Sequence, residues 1–128
     1  MRRIDFKVPI YDWDITVATI YDCNDYNSVK SLLEEIDAES TGKEWILNNV
    51  EKEAVNGGDT WYDTGICKIV CIIFKWTEPI EFWKVLNHEK RHMVDRIMEH
   101  HGINDTESAA YLDGYLTTQI YSRINELK

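Results

Sequence analysis

Residues Ile66 to Trp76 constrain this 128-residue chain more than any other stretch. Ile69, Val70, Cys71, Ile72, Ile73 and Phe74 follow one another without a polar break, and the flanks are closed by Lys68 and Lys75. β-branched residues dominate the run, so it reads as a strand. A strand with one wet face alternates apolar with polar; this one does not, so it must be covered on both faces. Helices or further sheet therefore have to lie above and below it. The apolar content of 44% is sufficient to build that cover.

The cover can be read from periodicity. Ile4, Phe6, Val8 and Ile10 alternate, as do Trp13, Ile15, Val17, Thr19 and Tyr21. Pro9 lacks an N–H and marks an edge position or a bend between the two pieces, of which 13–20 is the surer strand. A helix starts near Asn27 or Ser28, with Val29, Leu32, Leu33 and Ile36 at helical spacing. A second runs from about Lys43 to Ala54, carrying Trp45, Ile46 and Val50, and a turn at 56–59 ends it. Trp61-Tyr62 opens a short strand, and Asp63-Thr64-Gly65 is a hairpin signal leading into the buried run. Thr77-Glu78-Pro79 opens a long helix to about His101, which Gly102 terminates. Asn104 or Asp105 caps a last helix to about Asn125. The expected class is α+β, one domain over 1–128, a small mixed sheet packed against helices in the order β-α-α-β-β-α-α.

Charge and composition exclude several functions. The net charge is −9 with no basic stripe, which speaks against a nucleic-acid-binding surface. No apolar run approaches the roughly 18 residues that would span a bilayer. Arg2 and Arg3 are not followed by an apolar stretch, so no secretory leader is read and a cytoplasmic location is expected. The three cysteines, Cys23, Cys67 and Cys71, include no Cys-x-x-Cys pair. Cys67 and Cys71, four apart, are expected on one face of a strand as reduced thiols.

The chemistry is concentrated in the long helix. His88, Glu89 and His92 form H-E-x-x-H. Residues four apart stack on one helical face, so the two imidazoles can hold a single tetrahedral metal. Glu89, about 100° around the helix from His88, can take a proton from a metal-activated water. The bland alternative is two solvated or core-satisfied histidines.

A zinc site needs a third protein ligand and an open fourth position. Glu107, in the first turn of the last helix, is the candidate, provided that helix folds back antiparallel to the first; otherwise Glu107 is a charge favouring the helix N-terminus. Glu107, Tyr111, Gly114 and Thr118 form one stripe of that helix, opposite Leu112, Leu116 and Ile120. On this reading Gly114 allows close approach of the motif helix, and Tyr111 or Tyr115 donates a hydrogen bond to a developing oxyanion. Asp105 is read as a cap, and His100 and His101 as helix C-terminal residues. Trp45, Trp61, Trp76 and Trp83 are core or rim aromatics.

The series Asn87-His88-Glu89-x-x-His92-x-x-Asp95-x-Ile97, Gly102-Ile103, then Glu107-x-x-Ala110-Tyr111-Leu112-x-Gly114-Tyr115-Leu116 resembles short zincin-like proteins encoded by tailed bacteriophages. The likeness covers about the last third of the chain. It implies a minimal zincin domain of gluzincin type, with Zn²⁺ on His88, His92 and Glu107 and Glu89 as general base. It also implies a peptide or protein substrate laid along a sheet edge, or else a non-catalytic virion or interaction protein. Two positions depart from the pattern. Lys90-Arg91 stands where apolar or small residues are usual, and Lys90 falls within the arc of Phe82, Leu86, Met93, Val94 and Ile97. Tyr111 stands where larger gluzincins place an acid to orient a histidine; Asp95 is an alternative orienting acid.

Overall fold

The computed structural model describes residues 1–36, 40–53, 57–74 and 79–128. Strands β1 (Arg2–Val8) and β2 (Trp13–Ile20) come first. A single 3-10 turn at Cys23–Asp25 leads into helices α1 (Tyr26–Glu34) and α2 (Ser40–Glu51). Then follow β3 (Gly58–Asp63), β4 (Lys68–Phe74), α3 (Pro79–His100), α4 (Thr106–Tyr121) and α5 (Ile124–Leu127). The chain is mixed α+β, with one more strand at the start than the expected order contains and with the expected last helix divided into α4 and the short α5. The helix opener at Thr77-Glu78, Trp76, Ala54 and Asn56 lie outside the described residues.

The four strands form one mixed sheet in the order β1-β2-β4-β3. β1 pairs with β2 antiparallel, β2 with β4 parallel, and β3 with β4 antiparallel. β4 is therefore central, as its uninterrupted apolar run requires. Its side chains alternate between two cores. Ile69, Cys71 and Ile73 join Phe82, Leu86, Met93, Val94, Leu112 and Leu116 of α3 and α4. Val70, Ile72 and Phe74 join Val29, Leu32, Leu33, Ile46 and Val50 of α1 and α2. A period of two thus serves a sheet sandwiched between helical layers. Pro9 lies in the β1–β2 turn, which explains why both alternating pieces are strands. The face shared by Thr19 and Tyr21 is also as expected: both hydroxyls donate to the Leu127 carbonyl, at 2.6 and 3.0 Å, and hold α5 on the sheet.

Some local readings change. β3 begins at Gly58, so Gly58 and Asp59 belong to the strand rather than the preceding turn. Cys67 has φ +50° in the β3–β4 turn and does not share a strand face with the buried Cys71. Trp45 is 55% exposed, neither core nor rim, whereas Trp61 packs on the α1–α2 core and Trp83 on the α3–α4 core.

α3 and α4 run antiparallel. Tyr121 Oη donates to Asn87 Oδ1 at 2.8 Å, Lys90 Nζ donates to Thr117 Oγ1 at 2.8 Å, and Ile103 N donates to the Met98 carbonyl at 2.9 Å. The last of these closes a Schellman turn with Gly102, whose φ is +66° and whose N–H bonds Glu99 at 3.2 Å. A Cβ at Gly102 would meet nothing within 4 Å. Gly102→Ala is therefore expected to lower stability by about 1 kcal/mol through backbone strain alone. An unchanged urea midpoint would show that the turn relaxes without cost.

Candidate metal centre

α3 crosses the sheet beside its β3 edge and runs alongside that strand. A Cβ built on Gly58 would lie 2.9 Å from Glu89 Cγ and 3.0 Å from Val85. Four residues along β3, the Tyr62 ring takes the Arg96 guanidinium at 4.5 Å. Glycine at 58 thus permits the close approach that brings the motif helix down onto the edge strand. Where they meet, Thr60 Oγ1 donates to Glu89 Oε2 at 2.6 Å. Glu89 is 5% exposed, so this bond satisfies a carboxylate that has lost most of its water.

His88 and His92 are exposed on the neighbouring flank of α3. Their Nε2 atoms lie 3.0 Å apart, with ring planes at 78°. His88, Glu89 and His92 each offer a ligand atom, and these atoms lie within 4.8 Å of one another. Among the described residues this His-Glu-His group could hold a metal ion. The donor set suits one: two imidazole nitrogens and a carboxylate converge.

The expected third ligand is not part of this convergence. Each helical residue turns about 100°, so Lys90 lies 160–200° around α3 from the two histidines. Lys90 faces α4, where its Nζ bonds Thr117 and pairs with Asp113 at 3.6 Å. The histidines therefore point away from α4. Glu107 is also displaced along the axis: it precedes Asp113 by six residues, about 9 Å of helix. Glu107, Tyr111, Gly114 and Thr118, the stripe expected to meet the histidines, are all exposed. α4 instead presents Asp113, Thr117 and Tyr121 to α3, and a Cβ at Gly114 would meet nothing within 4 Å.

Tyr111 and Tyr115 are displaced across the sheet. Tyr111 is 61% exposed and lines a small hollow with Val8, Pro9, Ile10 and Tyr11. Tyr115 Oη donates to the Lys7 carbonyl at 2.8 Å. Both belong to the β1 edge, three strand spacings or about 14 Å from β3. Neither is placed to meet an oxyanion formed at the histidines. Asp95 is paired with Arg91 at 3.1 Å rather than orienting a histidine. Lys90 is only 7% exposed; its stem covers the helix–helix seam, and its ammonium lies 5.5 Å from the Tyr121 ring centroid.

Two residues of the sheet lie within electrostatic reach of Glu89: Asp59, read in the sequence only as turn chemistry, and Cys71, read only as a reduced thiol. Asp59 is half-buried on β3. Burial raises its carboxyl above the usual range; the Thr60 N–H pulls it down, the Glu89 charge pushes it up, and His92 lowers it. Cys71 is fully buried, and its thiol is pushed well up, chiefly by burial and then by the Glu89 charge. The signal for Asp59 in the sequence is faint, because a single Asp-Thr pair after two glycines reads as turn chemistry. No helix of the described residues is long and apolar enough to cross a membrane. No family model matches the chain, and no curated protein or solved structure matches it significantly.

Proposed function

We propose that the chain binds one Zn²⁺ between His88 and His92 and hydrolyses a peptide bond, with Glu89 as general base. The observation that carries the reading is the pair of imidazole nitrogens converging at 3.0 Å. Tetrahedral zinc with bonds of 2.0–2.1 Å separates two ligand nitrogens by about 3.3 Å, so the pair needs to open only slightly. Zinc held there would polarise the scissile carbonyl and acidify a water.

The chain's own residues supply the rest. His88 and His92 are exposed and would hold the ion where a substrate has access. Thr60 holds Glu89 Oε2, leaving Oε1 to accept the water proton and pass it to the leaving amine. β3 is an edge strand. Phe74 N donates to the Gly57 carbonyl at 2.9 Å, and by antiparallel alternation the N–H and C=O groups of Gly58, Thr60 and Tyr62 turn outward. An extended peptide could pair with them, displacing the Asp59 Oδ1 that accepts the Thr60 N–H at 3.0 Å. The likeness to short phage zincin-like proteins belongs to the same proposal.

The burial of Glu89 favours a second reading. A carboxylate 5% exposed and within 4.8 Å of both imidazole nitrogens could itself be the third ligand of a non-catalytic site, in a structural or interaction protein. Both readings need the metal. Elemental analysis after dialysis against zinc should report one ion per chain, and a His88→Ala/His92→Ala double variant should retain none. A wild-type chain that keeps no zinc would end both readings.

A further inference from the structure

We infer that the β3 edge selects an extended peptide carrying lysine or arginine beside Asp59, and that Asp59 is the specificity-determining residue of this edge. The inference rests on the part of the reading above that lays a peptide along β3, and names the side chain such a peptide carries. The two edges of the sheet differ. On β1, the Asp5 carbonyl accepts from Arg123 Nη1 and the Lys7 carbonyl accepts from Tyr115 Oη, each at 2.8 Å, so α4 and the chain just beyond it close that edge. On β3, the outward N–H and C=O groups belong to Gly58, Thr60 and Tyr62. Among the described residues one hydrogen bond reaches these groups, from the Thr60 N–H to Asp59 Oδ1 at 3.0 Å. β3 is thus the edge open to a further strand, and Asp59 is the group such a strand must displace.

Strand alternation puts the Asp59 side chain on the Trp61 face of the sheet, opposite the face on which Thr60 meets Glu89. Asp59 is half-buried, and among the described residues it joins no ion pair. The Arg96 guanidinium lies over the Tyr62 ring, on the other face. Burial, the largest influence on the Asp59 carboxyl, disfavours the charge it carries. A peptide strand that takes the Thr60 N–H releases this carboxylate from the bond that now satisfies it. A half-buried charge left with neither donor nor cation is unfavourable, so the peptide that binds best brings a replacement. In antiparallel addition Thr60 exchanges both ladder bonds with one peptide residue. Asp59 then stands opposite the next in a non-hydrogen-bonded pair, where side chains come closest. Opposite residues share a face, so that peptide side chain lies with the carboxylate on the Trp61 face. An ammonium or guanidinium there supplies the missing partner, and a carboxylate there is repelled. The net charge of −9 favours basic peptides over acidic ones in the same sense.

The test is fluorescence anisotropy with short labelled peptides of alternating threonine and valine, identical except for lysine, glutamine or glutamate at the centre. Binding is measured in EDTA, so that neither zinc nor hydrolysis enters the result. The wild type should bind the lysine peptide about tenfold more tightly than the glutamate peptide, a favourable cross-strand pair set against an unfavourable one. Asp59→Asn keeps an acceptor for the Thr60 N–H, and far-UV circular dichroism checks that the fold is retained. Its preference should shrink to about twofold or less, because distant charges are screened at physiological ionic strength. Asp59→Lys should reverse the order, with glutamate preferred. N-methylation of the two residues flanking the lysine removes the N–H groups that face β3 and should abolish binding; N-methylation of the lysine itself should be tolerated. Equal binding of the three peptides by the wild type, a preference that survives in Asp59→Asn, or a flank-methylated peptide that binds like its parent would each overturn the inference. So would a wild type that binds none of the peptides. A chain that keeps no zinc but retains the lysine preference loses the zinc reading and leaves the edge selective; a chain that keeps zinc and shows no preference does the reverse.

Discussion

Glu89→Gln should leave zinc bound and lower hydrolysis of an unstructured protein substrate such as casein by about 10²–10⁴-fold, the usual contribution of a positioned general base. Glutamine has the shape of glutamate, and its carbonyl can still accept the Thr60 hydroxyl that now sits 2.6 Å from Oε2. The packing of α3 against β3 is therefore preserved while the ability to take a proton is removed. The same variant separates the two readings of the site. If Glu89 is a ligand, zinc affinity collapses along with any activity. If zinc stays and hydrolysis is undiminished, the proton is handled elsewhere and the general-base role is wrong. Zinc content and activity should be measured on the same preparation, so that a fall in one cannot be mistaken for a fall in the other.

The largest expected effect on stability is at Trp13. Trp13→Ala should cost about 3–5 kcal/mol, the range for deleting a buried aromatic side chain. That is a large share of the roughly 5–15 kcal/mol by which a domain is stable. Trp13 opens β2 and is fully buried, the largest side chain to be so among the described residues. Its indole N–H donates to His101 Nε2 at 2.9 Å, and its ring meets His100 edge-on at a centroid distance of 5.3 Å. One residue thus joins the start of the sheet to the end of the motif helix. Urea unfolding followed by circular dichroism would measure the loss. Trp13→Phe, which keeps an aromatic body but drops the donor, should fall between wild type and alanine. Alanine and phenylalanine behaving alike would mean the hydrogen bond, not the packing, matters most; no change with alanine would mean the site collapses without cost.

His100 and His101 show how far local reading extends. Both are in or next to the last turn of α3, as their spacing implies, where positive charge is favoured. That His101 also accepts the Trp13 indole could not be read, because the partner is 88 residues away. The same division runs through the candidate site. The H-E-x-x-H spacing placed His88 and His92 on one flank because i and i+4 coincide on any α-helix. Asp105 as a cap was equally legible, and its carboxylate does accept the Ser108 N–H at 2.7 Å. Glu107 and Tyr111 required a statement about how two helices face each other. The clue was present: Lys90 lies in the apolar arc of α3, so the packed side of that helix is opposite the histidines.

What the sequence determined by itself is what depends on neighbours within a turn or a strand. It specified the helix bearing the histidine pair, the Gly102 stop, the Asp105 cap and the doubly buried strand β4. These follow from 3.6- and 2-residue periods and from backbone chemistry that acts over a few residues. Tertiary structure alone decided that β3 is an edge, that α3 descends onto it at Gly58, and that Thr60 reaches the motif while Tyr111 and Glu107 turn to solvent. Those outcomes depend on which faces of separate elements are buried together. That choice is made by the whole core at once, and no local pattern encodes it.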